Sequence, residues 1–257
     1  MIVLIGLAIV FVISLLGLTG GLLLIYRQAW AKLISKYLIT FAVGALFGAV
    51  FLDLLPEAIK ELKVAETALT YTLIGIIVFY LLEKTLFWYH HHSVEQIWHR
   101  THTREEKAYP VGVMILLGDS LHNFIDGLAI AASFLLDFKL GITTSLAVLF
   151  HELPEEIGIF AVLLHSNFGR YKTILLSALA QMTAVLGALV GFLALPLFAN
   201  SKGILLAFAA GNFIYIASTD LLPETHREKN LGKSLIQIGL LILGILVIWY
   251  TGQVFPE

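Results

Sequence analysis

The chain has 257 residues, of which 59% are hydrophobic and 13% charged, with a mean hydropathy of +0.90 and a net charge of −2. That balance lies outside the range of soluble globular domains, so the chain reads as an all-α integral membrane protein. The absence of cysteine excludes a disulfide framework and thiolate metal sites, no Gly-rich Walker segment is present for ATP hydrolysis, and no nucleic-acid partner is expected.

A membrane helix needs about 20 predominantly apolar residues. The sequence supplies eight such stretches, at 2–26, 37–58, 67–87, 111–136, 140–164, 173–198, 203–222 and 234–252, and is read as one transmembrane domain over 1–257. The first lacks a basic leader and its apolar run is too long for a cleaved signal, so it is read as a span. Orientation follows from the basic residues. Arg27, Lys32, Lys36, Lys84, Arg100, Arg104, Lys107, Arg170, Lys172, Arg227, Lys229 and Lys233 fall in the odd-numbered connections, against Lys60, Lys63, Lys139 and Lys202 in the even-numbered ones. Positive charge marks the cytoplasmic side, which puts both termini outside a multi-pass protein of the cell membrane. The one long connection, 88–110, is then cytoplasmic and carries His90, His91, His92, His99 and His102, a group able to bind metal leaving a pore.

The second and seventh spans repeat one another. "GALFGAVFLDLLPEA" begins at Gly44 and "GNFIYIASTDLLPET" at Gly211, with Gly, Asp, Leu, Leu, Pro and Glu at the same offsets; the third and eighth spans echo more weakly as "IGIIVFY" and "LGILVIWY". With eight spans the two copies run in opposite directions, an inverted repeat of the kind common in secondary transporters. The fourth and fifth spans lie between them, giving a 3+2+3 arrangement.

Those two spans carry the chemistry: "HNFIDG" at 122–127 and "HELPEE" at 151–156. A charged side chain at mid-membrane costs roughly 2.5–3.5 kcal/mol on insertion scales, so several together need an offsetting partner. Helical spacing aligns Asp119, His122, Asn123 and Asp126 on one face and His151 with Glu155 on another. Facing one another, the spans present His122, Asp126, His151 and Glu155 to one point, with Asn123 and Glu152 beside it. A polar packing network or a proton relay would use such groups. A divalent cation fits best, because Asp126, Glu152 and Glu155 contribute up to −3, and imidazole with carboxylate but no sulfur suits zinc, iron(II), manganese and similar metals over calcium or magnesium. Pro154 leaves the Phe150 carbonyl without its helical donor and implies a local opening at the ligands. Gly127 and Gly158 fit close helix approach.

"GDSLHNFIDGLAI", "TSLAVLFHELPEEIGIF" and "GNFIYIASTDLLPE", with a His-bearing loop before the fourth span, resemble the ZIP (Zrt/Irt-like) metal transporters over nearly the whole chain. The likeness is to the branch whose fifth span reads HE-[IL]-P-H-E, from which Glu155 departs by replacing the second His; the added charge argues for a harder or more permissive site. The resemblance implies an eight-span homodimer importing zinc, or related ions such as Fe2+, Mn2+ or Cd2+, into the cytoplasm. It implies that His122, Asp126, His151 and Glu155 form one metal site and that Asn123 and Glu152 contribute to a second. Some relatives complete the second with a sixth-span carboxylate, where this chain has Ser177 and Gln181.

Asp53 and Asp220, each followed by a Glu at Glu57 and Glu224, close the repeated spans at opposite mouths, where carboxylates attract cations. Asp119, one turn before His122, is placed to orient a ligand. The reading is a secondary transporter working by alternating access. The alternatives are an intramembrane metallohydrolase, to which His151-Glu152 points while Glu155 occupies the second His position of H-E-x-x-H, and a metal-selective channel.

Overall fold

The computed structural model describes residues 1–98, 104–198 and 201–254, with side chains described outside 86–111. The architecture is all-α: α1 (Ile2–Tyr26), α2 (Gln28–Gly48), α3 (Leu55–Leu62), α4 (Ala65–Trp98), α5 (Arg104–Leu136), α6 (Phe138–His165), α7 (Arg170–Ala194), α8 (Ser201–Ile216), α9 (Leu222–Thr225) and α10 (Leu231–Val254). Among the described residues, seven helices are long and apolar enough to cross a membrane, counting 28–62 and 201–225 as one continuous rod each. The remaining long helix, α6, has 28 residues but carries Glu152, Glu155 and Glu156 at its middle. It falls short on charge, not on length, and those charges belong to the site described below.

The two rods that contain the repeated segment share a local defect. α2 passes into α3 through a π-helical turn, Ala49–Leu54, and α8 passes into α9 through another, Ala217–Leu221. In each the Leu that follows donates its N–H five residues back, Leu55 to the Val50 carbonyl and Leu222 to the Ala217 carbonyl. A proline stands one residue further on, Pro56 and Pro223. Proline has no N–H for the carbonyl four residues back, and a widened turn shifts the pairing by one residue so that the ladder continues. At Pro154 no widened turn forms: α6 runs as one helix from Phe138 to His165 with the proline inside it, and the Phe150 carbonyl still lacks its helical N–H.

Packing keeps the same correspondence. α2 lies against α10, and α8 against α4. A Cβ on Gly44 would fall 2.0 Å from the Leu241 carbonyl oxygen, and one on Gly211 would fall 2.1 Å from that of Thr72, so only glycine allows either crossing. α5 packs most extensively against α7, and Gly127 meets the Ala184 carbonyl there, as close approach requires. Gly158 has no neighbour near its Cβ position, so the expected close contact at that residue is absent. α1 packs against α6 and α7 through small residues, Ser14, Gly17, Gly20 and Gly21. Asp137 caps α6 by accepting the Leu140 N–H at 3.0 Å, which sets where that helix starts and hence which residues face α5.

Candidate metal centre

α5 and α6 bring their motifs together in the interior. His151 and Asp126 are fully buried, and Glu152, Asn123 and His122 nearly so; Glu155 is the most accessible of the set. The Nε2 atoms of His122 and His151 lie 3.1 Å apart. Asp126 Oδ2 is 3.0 Å from His151 Nε2 and 3.5 Å from His122 Nε2. Glu155 Oε2 and Glu152 Oε1 approach His122 Nε2 at 3.6 and 3.7 Å. One donor atom from each of His122, His151, Glu152 and Glu155 falls within 4.8 Å of every other. Five side chains therefore point donor atoms at one small volume.

The imidazoles are held in orientation. His151 Nδ1 donates to the Ala147 carbonyl at 3.0 Å, which can only accept, and the ring is thereby oriented with Nε2 toward the cluster. The edge of His151 rests on Phe213 and that of His122 on Phe79, with ring centroids 5.7 and 6.5 Å apart. Asp126 Oδ1 and Oδ2, Glu152 Oε1 and Glu155 Oε2 have no hydrogen-bond donor among the described residues. Buried carboxylate oxygens without donors are costly unless a cation serves them, and two imidazoles with three carboxylates are the donor chemistry of a divalent transition metal.

The remaining expected residues occupy two surrounding places. Asn123 turns its amide back one turn and donates to Asp119 Oδ1 at 2.9 Å, so Asn123 and Asp119 are tied to each other. Ser177 and Gln181 on α7 are buried behind Glu152; Gln181 Nε2 donates to Glu152 Oε2 and, at 3.0 Å, to Glu156 Oε1. Asp220 lines a cavity of about 390 Å³ that also touches His122, Glu155, Asp119, Glu83 and Tyr215. Asp53 does not line it. It lies instead near Gly252 and Lys139, toward the start of α6, and its Oδ2 is buried without a hydrogen-bond partner among the described residues. On that side of His151, α6 packs through Ala147 into Ala45, Ala49 and Ile248. His99 and His102 lie outside the described residues, as do the side chains of His90, His91 and His92.

Three further residues join the site that sequence reasoning does not assign to it. Glu156 stands out in the sequence only as a charge; in the structure it is fully buried and bound by Gln181. Glu83 accepts a hydrogen bond from the Tyr215 hydroxyl across the cavity wall. As the one carboxylate of the third span, Glu83 does carry a signal; Tyr215, an aromatic in an apolar helix, carries none.

A polytopic helical membrane protein with a buried His/carboxylate cluster reached by a cavity from one side is a metal-ion transporter in build. The ZIP zinc transporter family model matches residues 1–112 and 89–251, and the chain belongs to that family. It is 34% identical over 262 residues to zinc transporter ZIP13 of Pongo abelii, covering 95% of this chain and 74% of the relative. With ZIP13 of Homo sapiens the identity is 31% over 291 residues, 95% of this chain and 77% of the relative. A shorter match, 46% over 117 residues, covers 46% of this chain and 18% of zinc transporter ZIP4 of Homo sapiens. The protein is a secondary transporter of divalent metal ions and not an enzyme.

Proposed function

We propose that the protein imports zinc into the cytoplasm by alternating access, with His122, Asp126, His151 and Glu155 holding the ion at mid-membrane and Glu152 giving a further oxygen. The observation that carries this reading is the convergence of the two Nε2 atoms with Asp126 Oδ2 and Glu155 Oε2. Zinc is favoured over Fe2+, Mn2+ and Cd2+ because the relatives are named as zinc transporters and zinc accepts mixed nitrogen and oxygen ligands in low coordination number.

The whole chain acts as one transmembrane domain of eight spans in a 3+2+3 arrangement of inverted repeats, with both termini outside. Support comes from the paired π-turns and from the glycine crossings, in which Gly44 against Leu241 and Gly211 against Thr72 are corresponding contacts. The excess of basic residues in the odd-numbered connections sets the orientation. In that frame the cavity from His122 to Asp220 is the cytoplasmic release path, and the packed side near Asp53 is the closed external mouth. Asp53 captures the ion, the central ligands replace its water, and Asp220 and Glu83 draw it inward. Asp119 positions Asn123 beside the ligands, and the His-bearing loop at 88–110 receives released metal. The working unit is a homodimer in the lipid bilayer with no nucleic-acid partner.

Uptake of zinc into proteoliposomes tests the reading. Saturable uptake that is lost in His151→Ala supports a carrier using this site. A rate that rises linearly with concentration at channel speed, or wild-type uptake in His151→Ala, contradicts it.

A further inference from the structure

Glu152 is divided between two partners. Its Oε1 faces the imidazoles, 3.7 Å from His122 Nε2 and 3.9 Å from His151 Nε2, whereas its Oε2 accepts from Gln181 Nε2. The same nitrogen donates to Glu156 Oε1 at 3.0 Å. Both hydrogens of the amide are thus used on two carboxylates that stand one turn apart on α6. The amide cannot be turned the other way, since its oxygen has nothing to donate to either carboxylate. Gln181 is itself almost completely buried and its backbone is fixed: Ser14 donates to its main-chain carbonyl at 3.1 Å, and Gly17 of α1 leaves room for its side-chain Oε1, 3.3 Å from where a Cβ would stand.

The geometry assigns Gln181 a specific role. It is the neutral donor that stands where a cation would bridge Glu152 and Glu156, and it thereby limits the central site to one ion. A cation bridging Glu152 Oε2 and Glu156 Oε1 would have to occupy the point taken by the amide nitrogen. The same bond keeps Glu152 from presenting both oxygens to the ion at the imidazoles, so Glu152 is a one-oxygen ligand. Gln181 touches no ion and acts through Glu152; it is a positioning residue that sets ion number. This inference rests on the metal-site reading above.

Two substitutions separate this role from simple packing. Gln181→Glu keeps the shape, removes both donors and adds a third carboxylate to the pair. Gln181→Met keeps the approximate volume and removes the donors without adding charge. The full-length chain is purified metal-free in detergent, titrated with Zn2+, and bound zinc is counted by elemental analysis alongside calorimetry. The expected results are one zinc per wild-type chain, two per Gln181→Glu chain, and one per Gln181→Met chain with affinity weakened about 10- to 100-fold, the usual cost of losing a residue that orients a ligand. A merely structural role would lower affinity in both variants and leave the count at one. A Gln181→Glu chain that stays at one zinc, or a Gln181→Met chain that binds as tightly as wild type, overturns the inference. If Gln181→Glu does not yield a monodisperse protein, Gln181→Asp, which likewise removes the donors and adds a carboxylate, is counted in its place, and a count that stays at one zinc per chain overturns the inference. Two zinc ions on the wild-type chain overturn the inference and leave the metal-site reading standing; no zinc on the wild-type chain overturns that reading and the inference with it.

Discussion

The segments that end in Asp-Leu-Leu-Pro-Glu are alike in sequence and in backbone, yet they face different surroundings. Asp220 lies in a π-turn and borders a cavity with Glu83, Tyr215 and His122. Asp53 sits in the matching π-turn but lies near Lys139 and Gly252, with packed alanines and Ile248 between that side and His151. One local structure therefore borders a cavity at one end and packed side chains at the other, which in the proposed reading are an open and a closed mouth. The difference resides in what the neighbouring helices do, which is what a transporter that exchanges open sides requires. The His/carboxylate cluster sits on α5 and α6, each a continuous helix, whereas the π-turns lie in the two rods that carry the repeated segment.

Without the point common to both mouths, the contrast between them should lose its functional meaning. His122→Ala, Asp126→Ala, His151→Ala and Glu155→Ala should each reduce zinc uptake by more than about 100-fold, since even indirect supports of a metal ligand cost about 10- to 100-fold. Equal, mild losses at all four would show that the two mouths do not share this site. At the inner mouth a smaller effect is expected: Asp220→Asn should lower the maximal rate by roughly tenfold while leaving the half-saturation concentration near wild type, as read from initial uptake rates. Glu83→Gln should act the same way more weakly, because its contact with Tyr215 can survive as a neutral hydrogen bond.

At the outer mouth Asp53→Asn should raise the half-saturation concentration roughly three- to tenfold with little loss of maximal rate, and the effect should shrink as salt is added. A maximal-rate defect at Asp53 and a half-saturation defect at Asp220 would reverse the assignment of the mouths. The smallest effect is that of pH. Imidazole and carboxylate must give up protons before they coordinate, so zinc binding releases protons and weakens as pH falls. Calorimetry in buffers of different ionisation enthalpy should detect that release; an enthalpy independent of buffer would contradict it.

Much of this is legible in the sequence because mid-membrane charge is expensive and therefore conspicuous. His122, Asp126, His151, Glu152 and Glu155 stand out against apolar helices, and helical spacing places them on facing sides. The helix that carries most of them, α6, is legible too as one long helix, although its charge takes it outside simple hydropathy. What is not legible depends on how a neighbouring helix meets the motif. Pro154 suggests an opened backbone, yet α6 absorbs it, while the openings fall at Ala49–Leu54 and Ala217–Leu221, just ahead of Pro56 and Pro223. A proline shows that one hydrogen bond is lost, and tertiary packing decides how the helix re-pairs. The Gln181 bridge between Glu152 and Glu156 is hidden for the same reason: nothing in either segment fixes the rotation of α7 relative to α6.

Whether the two mouths belong to one alternating site is tested most directly by accessibility. The chain contains no cysteine, so Asp53→Cys and Asp220→Cys can each be introduced alone and labelled with a membrane-impermeant thiol reagent from either face. Position 220 should react from the cytoplasmic face and position 53 from outside, and conditions that increase labelling at one should decrease it at the other. Labelling of both positions from one face would contradict the inverted topology, and simultaneous, independent labelling at full rate from opposite faces would contradict alternation.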